Sequence, residues 1–508
     1  MHYLSYSSLV IKIENKKGFY ITTAIPYVNA PPHVGFALEL VQTDIIARYN
    51  KIKGAKVLLL TGADENSLKN VKAAEKLGIT PQELVDRNAA QFRDVATKLN
   101  VAFDRFVKSS IKEEHWQGVQ KIWQLADKNG DIYKKKYKGL YCVECELFYK
   151  ESELVDGLCP EHKIKLELIE EENYFFKLSK YQGKIEELIT SGKLEIIPSN
   201  KKNEVISFIK EGLEDFSISR SSTRAKGWGI PVPGDTSQII YVWMDALSIY
   251  LTGVGYGKDP AEFESWWPAD IHVIGKGIIK FHALYWPAFL ISAGLELPKK
   301  IFVHGYVTIE GQKISKSLGN VINPLDLLSK YKADEIRYYL VRDIPASEDG
   351  DFSENGLKDR INKELLGDLG NLVNRVLTLA ENSKFTSFTG RPELQDKLNI
   401  GSIEGKMDRL ELHHALEEIM EFVRHCNKYV NDKKPWTITG KELEGVLYNL
   451  LEGIRVSSIL LYPFIPDTSD KIADKLGTQK AAQISECKFR PEFKEKLTKG
   501  ELLFKKVE

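Results

Sequence analysis

Between residues 18 and 62 the apolar positions change period twice. GFYITTAI reads as a strand, FALELVQTDIIARYNKI as a helix and KVLLLTG as a second strand. KVLLLTG is almost continuously apolar, as expected of a parallel strand covered on both faces, so a βαβ sheet begins here. Helical patterns follow through QELVDR and HWQGVQKIWQLADKNG. From about Tyr133 to Lys165 the chain breaks into short, cysteine-bearing, turn-rich pieces, and 166–228 is mixed and charged. IIYVWMDALSIY, ADIHVIG and KKIFVHGYVTI then read as returning strands, the last entering the loop EGQKISKSLGN. The sheet is therefore interrupted by an insertion and resumed. From about Ile361 the pattern is helical. Leu412, Ala415, Leu416, Ile419, Phe422, Val423 and Cys426 form one stripe, and Leu443, Val446, Leu447, Leu450 and Ile454 another. Two such stripes predict an antiparallel bundle. The expected layout is α/β: a first half of the sheet domain (1–117), an insertion (118–228), the second half (229–325), a connecting region (326–360) and a helical domain (361–508).

Composition narrows this little. The chain has 508 residues, and its 71 Lys+Arg balance its 71 Asp+Glu, so any polyanion must meet a local basic patch. No apolar run approaches the roughly 18 residues of a membrane span. The start, MHYLSYSSLVIKIENKKG, has no basic opening and no small-residue cleavage site, so it reads as a short extension. The five cysteines, Cys142, Cys145, Cys159, Cys426 and Cys487, are odd in number. That argues for metal ligation and free thiols in a reducing cytoplasm.

Three patterns carry chemistry. In PHVGF, His33 and Gly35 stand where a strand turns into a helix, a place where backbone N–H groups and the helix dipole attract phosphate. In KISKS, Lys313 and Lys316 with Ser315 lie on a Gly-flanked loop able to wrap a triphosphate. Taken singly, each is as well explained by an ordinary surface loop. Cys142-x2-Cys145, thirteen residues, then Cys159-x2-His162 is stronger: two knuckles with three thiolates and one imidazole make a closed tetrahedral Zn²⁺ site. The aromatics Tyr241, Trp243 and Tyr250, taken alone, read as core of a strand-to-helix segment.

The His-x-Gly turn after the first strand and KISKS after the last resemble the paired motifs of class I aminoacyl-tRNA synthetases. AIPYVNAPPHVG, TGADEN, IYVWMDALSIY, FVHGYVTIEGQKISKS, EDGDFSE, GNLVNRV and NDKKPW, in that order, resemble the methionyl-tRNA synthetase family from about residue 18 to 508. The resemblance implies a Rossmann-like catalytic domain interrupted by a zinc-knuckle insertion and followed by an anticodon-binding bundle. It implies ATP, Mg²⁺ and one structural Zn²⁺, with methionine and tRNA(Met) as partners. His33, Gly35, Lys313 and Lys316 would be catalytic, and these with Phe36, Gly275 and Ser315 would bind ATP. Ala24, Ile25, Tyr27, Trp243, Ala246, Leu247, Tyr250, Ile278 and His282 would line the methionine pocket. Asp64 would take the α-ammonium, with Arg220 holding Asp64 in place. Asn371 and Arg375, on one helix face, and Trp436, at a helix start after Pro435, would read the anticodon, with Lys428, Lys433 and Lys434 on its phosphates.

The sequence departs from the family pattern at three places. Phe36 replaces a second histidine, Asp64-Glu65-Asn66-Ser67 stands for Asp-x-His-Gly, and Gly277 replaces an aspartate. These motivate an alternative, a catalytically weak or inactive synthetase-like protein that binds tRNA or methionine. The intact KISKS lysines favour the active ligase. A leucine, isoleucine or valine synthetase is disfavoured because the insertion is too short for a full editing domain. The chain stops at LLFKKVE soon after the bundle, so a monomer is expected.

Overall fold

A computed structural model describes residues 18–160, 163–313 and 321–508. Its backbone divides into two compact units: 1–32, 58–94 and 103–303 in one, 33–57, 95–102 and 304–508 in the other.

The first unit is built on a six-stranded sheet in the order Arg105–Lys108, Val57–Ala63, Phe19–Thr22, Ile271–Gly275, Lys300–His304, Glu195–Ile197. Its registered pairs are parallel. Val57–Ala63 is buried at every position, which explains its unbroken apolar run. The chain leaves Phe19–Thr22 toward one edge and later returns on that strand's other side, at Ile271–Gly275. This reversal is a topological switch point, where ligands sit beyond the carboxyl ends of the strands. The insertion carries a long hairpin, Ile132–Cys142 against Glu167–Phe176.

Two expected strands prove different. Asp235–Ile240 is a strand, but Val242–Thr252 is a helix. The ladder ends where Tyr241 donates its N–H to the Ile218 carbonyl (2.9 Å), and the following residues are buried on every side. An apolar run alone does not separate a buried strand from a buried helix. KKIFVHGYVTI likewise splits into Lys300–His304 and Val307–Ile309. The break falls at Gly305, where a Cβ would lie 2.1 Å from the Glu348 carbonyl.

In the second unit the helix Val34–Ile52 buries Glu39, Gln42, Asp44 and Arg48 along with its apolar residues. The bundle contains Asn371–Ser383, Leu412–Lys433, Gly440–Leu461 and Pro466–Leu476. The first predicted stripe is buried throughout. In the second, Leu443 is half-buried and the rest are buried.

Candidate active site and metal knuckle

The strand ends at the switch point carry several of the residues expected to line the methionine pocket. Ala24, Ile25 and Tyr27 follow Phe19–Thr22, Asp64 follows Val57–Ala63, and Gly275 closes Ile271–Gly275 just before Ile278. Tyr27 and Asp64 form an isolated parallel bridge, and the Asp64 N–H donates to the Pro26 carbonyl (2.9 Å). Helix Val242–Thr252 presents Trp243, Ala246, Leu247 and Tyr250 at spacings of three and four, one face of the helix. Trp243 stacks on Phe281 (centroids 3.6 Å apart) and meets Tyr27 (6.1 Å) and His282 (6.3 Å) edge-on. Ala24 and Leu247 belong to the same core, with Ile25 and Ile278 packed against it.

His282 is fixed in one tautomer. Its Nδ1 faces the Ile278 carbonyl (3.0 Å) and so donates; Nε2 then accepts from the Tyr250 hydroxyl (2.9 Å). Burial pulls its pKa down to about 4. The pocket wall is thus aromatic and uncharged, as a thioether requires.

One end of the pocket is charged. Asp64 is 2% exposed, and its Oδ1 has no hydrogen-bond partner. Burial, then the Asp245 and Glu146 carboxylates, push its pKa well above the usual range, opposed by Lys69. A buried carboxylate oxygen held this way either keeps a proton or takes a cation as partner. The Tyr27 and Tyr241 hydroxyls and Trp243 Nε1 are also buried without partners. Asn66, at the family's histidine position, donates to Asp245 (2.9 Å) and the Ser109 carbonyl (2.9 Å). Asp245 also takes His115 Nε2 (2.6 Å). Arg220 does not pair with Asp64. Its guanidinium donates to Ser217 Oγ (2.9 Å) and to the Ser219 (2.7 Å) and Glu146 (3.3 Å) carbonyls, and lies over the Tyr241 ring (4.4 Å). The aromatic cage and these acceptors hold its Nη groups away from the carboxylate, while its Nε is buried without a partner. Asp245, His115, Phe281, Lys69 and Glu146 were not singled out from sequence. Asp245 lies within a quoted motif; only the fold brings the others there.

The second unit carries the nucleotide motifs. His33 caps helix Val34–Ile52, its Nδ1 accepting the Gly35 N–H (3.1 Å). A Cβ on Gly35 would lie 2.9 Å from the His33 ring, so a side chain there would push the capping imidazole aside. His33 is exposed, whereas Phe36 is 7% exposed and packs inward. The Val34 N–H donates to the Ile322 carbonyl (3.0 Å), just beyond the KISKS loop. Glu310 and Gly311, both at positive φ, turn Val307–Ile309 back onto Gln312–Lys313 and so lead the backbone into that loop. Ser315 and Lys316 lie outside the described residues, as does the side chain of Lys313.

In the insertion, the Cys142, Cys145 and Cys159 sulfurs lie within 4.8 Å of one another. Hydrogen bonding with Cys142, then burial, push the Cys145 thiol up. The residue after the second ligand position of each knuckle is left-handed: Glu146 at φ 54° and Lys163 at φ 53°. His162 itself lies outside the described residues.

In the bundle, the Arg375 guanidinium lies 5.8 Å from the centre of the Trp436 ring, and Trp436 is 56% exposed. Asn371 and Arg375 share helix Asn371–Ser383, with Arg375 donating to Asn431 (3.2 Å). Trp436 is not at a helix start. Helix Leu412–Lys433 ends at Lys434 in a left-handed cap, a turn closes from Thr437 N–H to the Lys434 carbonyl (2.8 Å), and the next helix begins at Gly440.

A Rossmann-type sheet with a cysteine knuckle and an appended helical bundle is the plan of a class I synthetase. The family described as tRNA synthetases class I (M) matches residues 19–167 and 163–377, and the anticodon-binding domain of tRNA ligase matches 399–508. Methionine–tRNA ligase of Thermotoga maritima is 41% identical over 96% of this chain and 80% of its own length. That of Brucella suis is 41% identical over 91% of this chain and 92% of its own. Mycobacterium tuberculosis methionyl-tRNA synthetase in complex with methionyl-adenylate superposes with a TM-score of 0.91 at 37% identity, covering 96% of this chain and 99% of that one. The chain belongs to the methionine–tRNA ligase family, ATP-dependent enzymes of class I. Among the described residues no helix is long and apolar enough to cross a membrane.

Proposed function

We propose that this chain activates methionine with ATP and passes the methionyl group to the 3′ end of tRNA(Met). The observation that carries the reading is the orphaned Asp64 Oδ1 at the charged end of an aromatic pocket. Methionine would place its α-ammonium on that oxygen and its thioether among Trp243, Tyr250 and His282. Its carboxylate then attacks the α-phosphorus of ATP in line. No side-chain nucleophile is required, because positioning and charge stabilisation drive the step. His33 and the amide backbone at Gly35 would hold phosphate, Lys313, Ser315 and Lys316 would neutralise the departing pyrophosphate, and Gly275 would leave room for the nucleotide. Mg²⁺ would travel with the ATP phosphates.

Phe36 leaves this chain without a second imidazole. A hydrogen bond to a charged group contributes roughly 1.5–3 kcal/mol, so its absence slows activation by about 10- to 200-fold at most. The inward packing of Phe36 supports a site rebuilt around the loss rather than one left open.

The donor set fits zinc: three clustered thiolates, with His162 as the fourth ligand by its spacing. The paired left-handed residues support two equivalent knuckles. The ion would be structural, closing the tip of the insertion, and metal analysis should find one zinc per chain. Asn371, Arg375 and Trp436 would read the anticodon, with Trp436 stacking on a splayed base.

The test is methionine-dependent ATP–pyrophosphate exchange, with Asp64→Asn beside the wild type. The wild type is expected to exchange, and the variant to show a methionine KM raised about 10- to 200-fold with the ATP KM little changed. No exchange from a zinc-loaded, tRNA-binding wild type would favour the inactive binding protein.

A further inference from the structure

The pocket draws its two ends from separate elements. Asp64 follows strand Val57–Ala63, while Trp243 and Tyr250 stand on helix Val242–Thr252. The groups that tie these elements together lie behind the pocket. Asp245 falls on the face of its helix opposite Trp243, Ala246, Leu247 and Tyr250, and it is buried. Its two carboxylate oxygens take different partners. Oδ2 accepts from Nδ2 of Asn66 (2.9 Å), two residues beyond Asp64, and Oδ1 accepts from His115 Nε2 (2.6 Å). His115 comes from a third element, helix Lys112–Lys128, and is fully buried, with its Nδ1 against the Thr252 hydroxyl (2.7 Å). The two helices approach closely at Gly118, one turn after His115, where a Cβ would lie 2.4 Å from Thr252 Cγ2. Ser109 fastens the Asp64 segment a second time. Its Oγ accepts the Glu65 N–H (2.8 Å), and its carbonyl accepts from Asn66 Nδ2 (2.9 Å) and Trp116 Nε1 (3.1 Å).

We propose that the buried chain His115–Asp245–Asn66 is a brace that sets the span between the ammonium end and the aromatic wall, and that His115 is a positioning residue for side-chain length selectivity. The proposal rests on the methionine reading above. A pocket rejects a side chain one methylene too long only if its wall cannot retreat from its anchor. Here the anchor rides on the segment that Asn66 holds, and the wall rides on the helix that Asp245 holds. Asn66, standing for the family's histidine, splits its amide N–H groups between Asp245 and the Ser109 carbonyl, so one side chain closes the brace and fastens the strand end. The competing role is stability alone, which would leave the span and the selectivity as they are.

The experiment is ATP–pyrophosphate exchange by the full-length protein with methionine and with ethionine, which is one methylene longer. One methylene is discriminated roughly 10- to 200-fold by an apolar pocket, and the wild type should prefer methionine within that range. His115→Leu keeps the bulk and removes the donor to Asp245. It is expected to lower kcat/KM about tenfold for methionine and at most about twofold for ethionine, so the preference narrows about fivefold while the ATP KM stays unchanged. His115→Gln places an N–H at nearly the same reach and should restore most of the preference. Equal losses for both amino acids, or an unchanged preference beside a lowered melting temperature, would overturn the proposal and leave a brace for the fold alone. If His115→Leu does not fold, Asn66→Ala cuts the other arm; it should narrow the preference likewise, and an unchanged preference would overturn the proposal. A wild type that activates neither amino acid would remove the methionine reading itself.

Discussion

His282, proposed above to face the thioether, also ties stability to pH. Its Nδ1–H is spent on the Ile278 carbonyl and its Nε2 on the Tyr250 hydroxyl, so neither nitrogen has room for a further proton. Its pKa in the folded chain, about 4, lies below the usual 6.5. Unfolded chains therefore bind a proton below about pH 6.5 that the folded chain refuses until about pH 4. The stability tied to this residue is complete above pH 6.5, is lost as pH falls toward 4, and amounts to about 3 kcal/mol. Chemical denaturation of wild type and His282→Gln at pH 7 and at pH 4.5 should show a larger fall for the wild type. Parallel falls would refute the assignment. The residue types of this pocket are legible in sequence because YVWMDALSIY is an aromatic-rich apolar run and the family resemblance assigns its members to the pocket. Which polar atoms remain unpartnered is not legible, because that depends on chain segments more than a hundred residues apart.

Helix Val34–Ile52 is tied at its middle by buried charges rather than by apolar packing alone. Asp44 accepts from Arg48 Nε (2.7 Å), Arg337 Nη2 (2.7 Å) and the Ala102 N–H (2.8 Å). Arg337, fully buried, also donates to the Phe464 (2.9 Å), Pro463 (2.8 Å) and Leu99 (3.2 Å) carbonyls. The turn before helix Pro466–Leu476 is thereby pinned to the helix whose first turn carries His33. Arg337→Met leaves those carbonyls without their donor and removes one counter-charge from Asp44. It should cost about 3–5 kcal/mol, the usual penalty for breaking one side of a buried pair. Urea denaturation followed by circular dichroism would check this, and a loss under 1 kcal/mol would contradict it. Sequence patterning finds this helix but does not foresee Asp44 and Arg48 as interior residues, because it places charges on the solvent face. It also reads YVWMDALSIY as strand. An element buried on all sides has no period left to read, and the true boundary comes from one backbone bond, Tyr241 to Ile218.

Amino-acid activation and tRNA reading make separate demands on the chain. Activation needs only methionine, ATP and the groups that hold them. Anticodon reading, as proposed above, would use Asn371, Arg375 and Trp436, which the bundle presents on one helix and one turn. The Arg375 guanidinium beside the exposed indole stiffens a flat platform on which an unpaired base can stack. Trp436→Ala should therefore leave ATP–pyrophosphate exchange at the wild-type rate. Stacking on an aromatic side chain contributes about 1–3 kcal/mol per base, so the KM for tRNA in aminoacylation should rise about 5- to 150-fold. The indole is more than half exposed, so its removal opens no cavity, and melting behaviour should stay unchanged. A variant that loses exchange as well as charging would show that the indole serves the fold rather than the tRNA. One that keeps both would move anticodon reading elsewhere on the bundle.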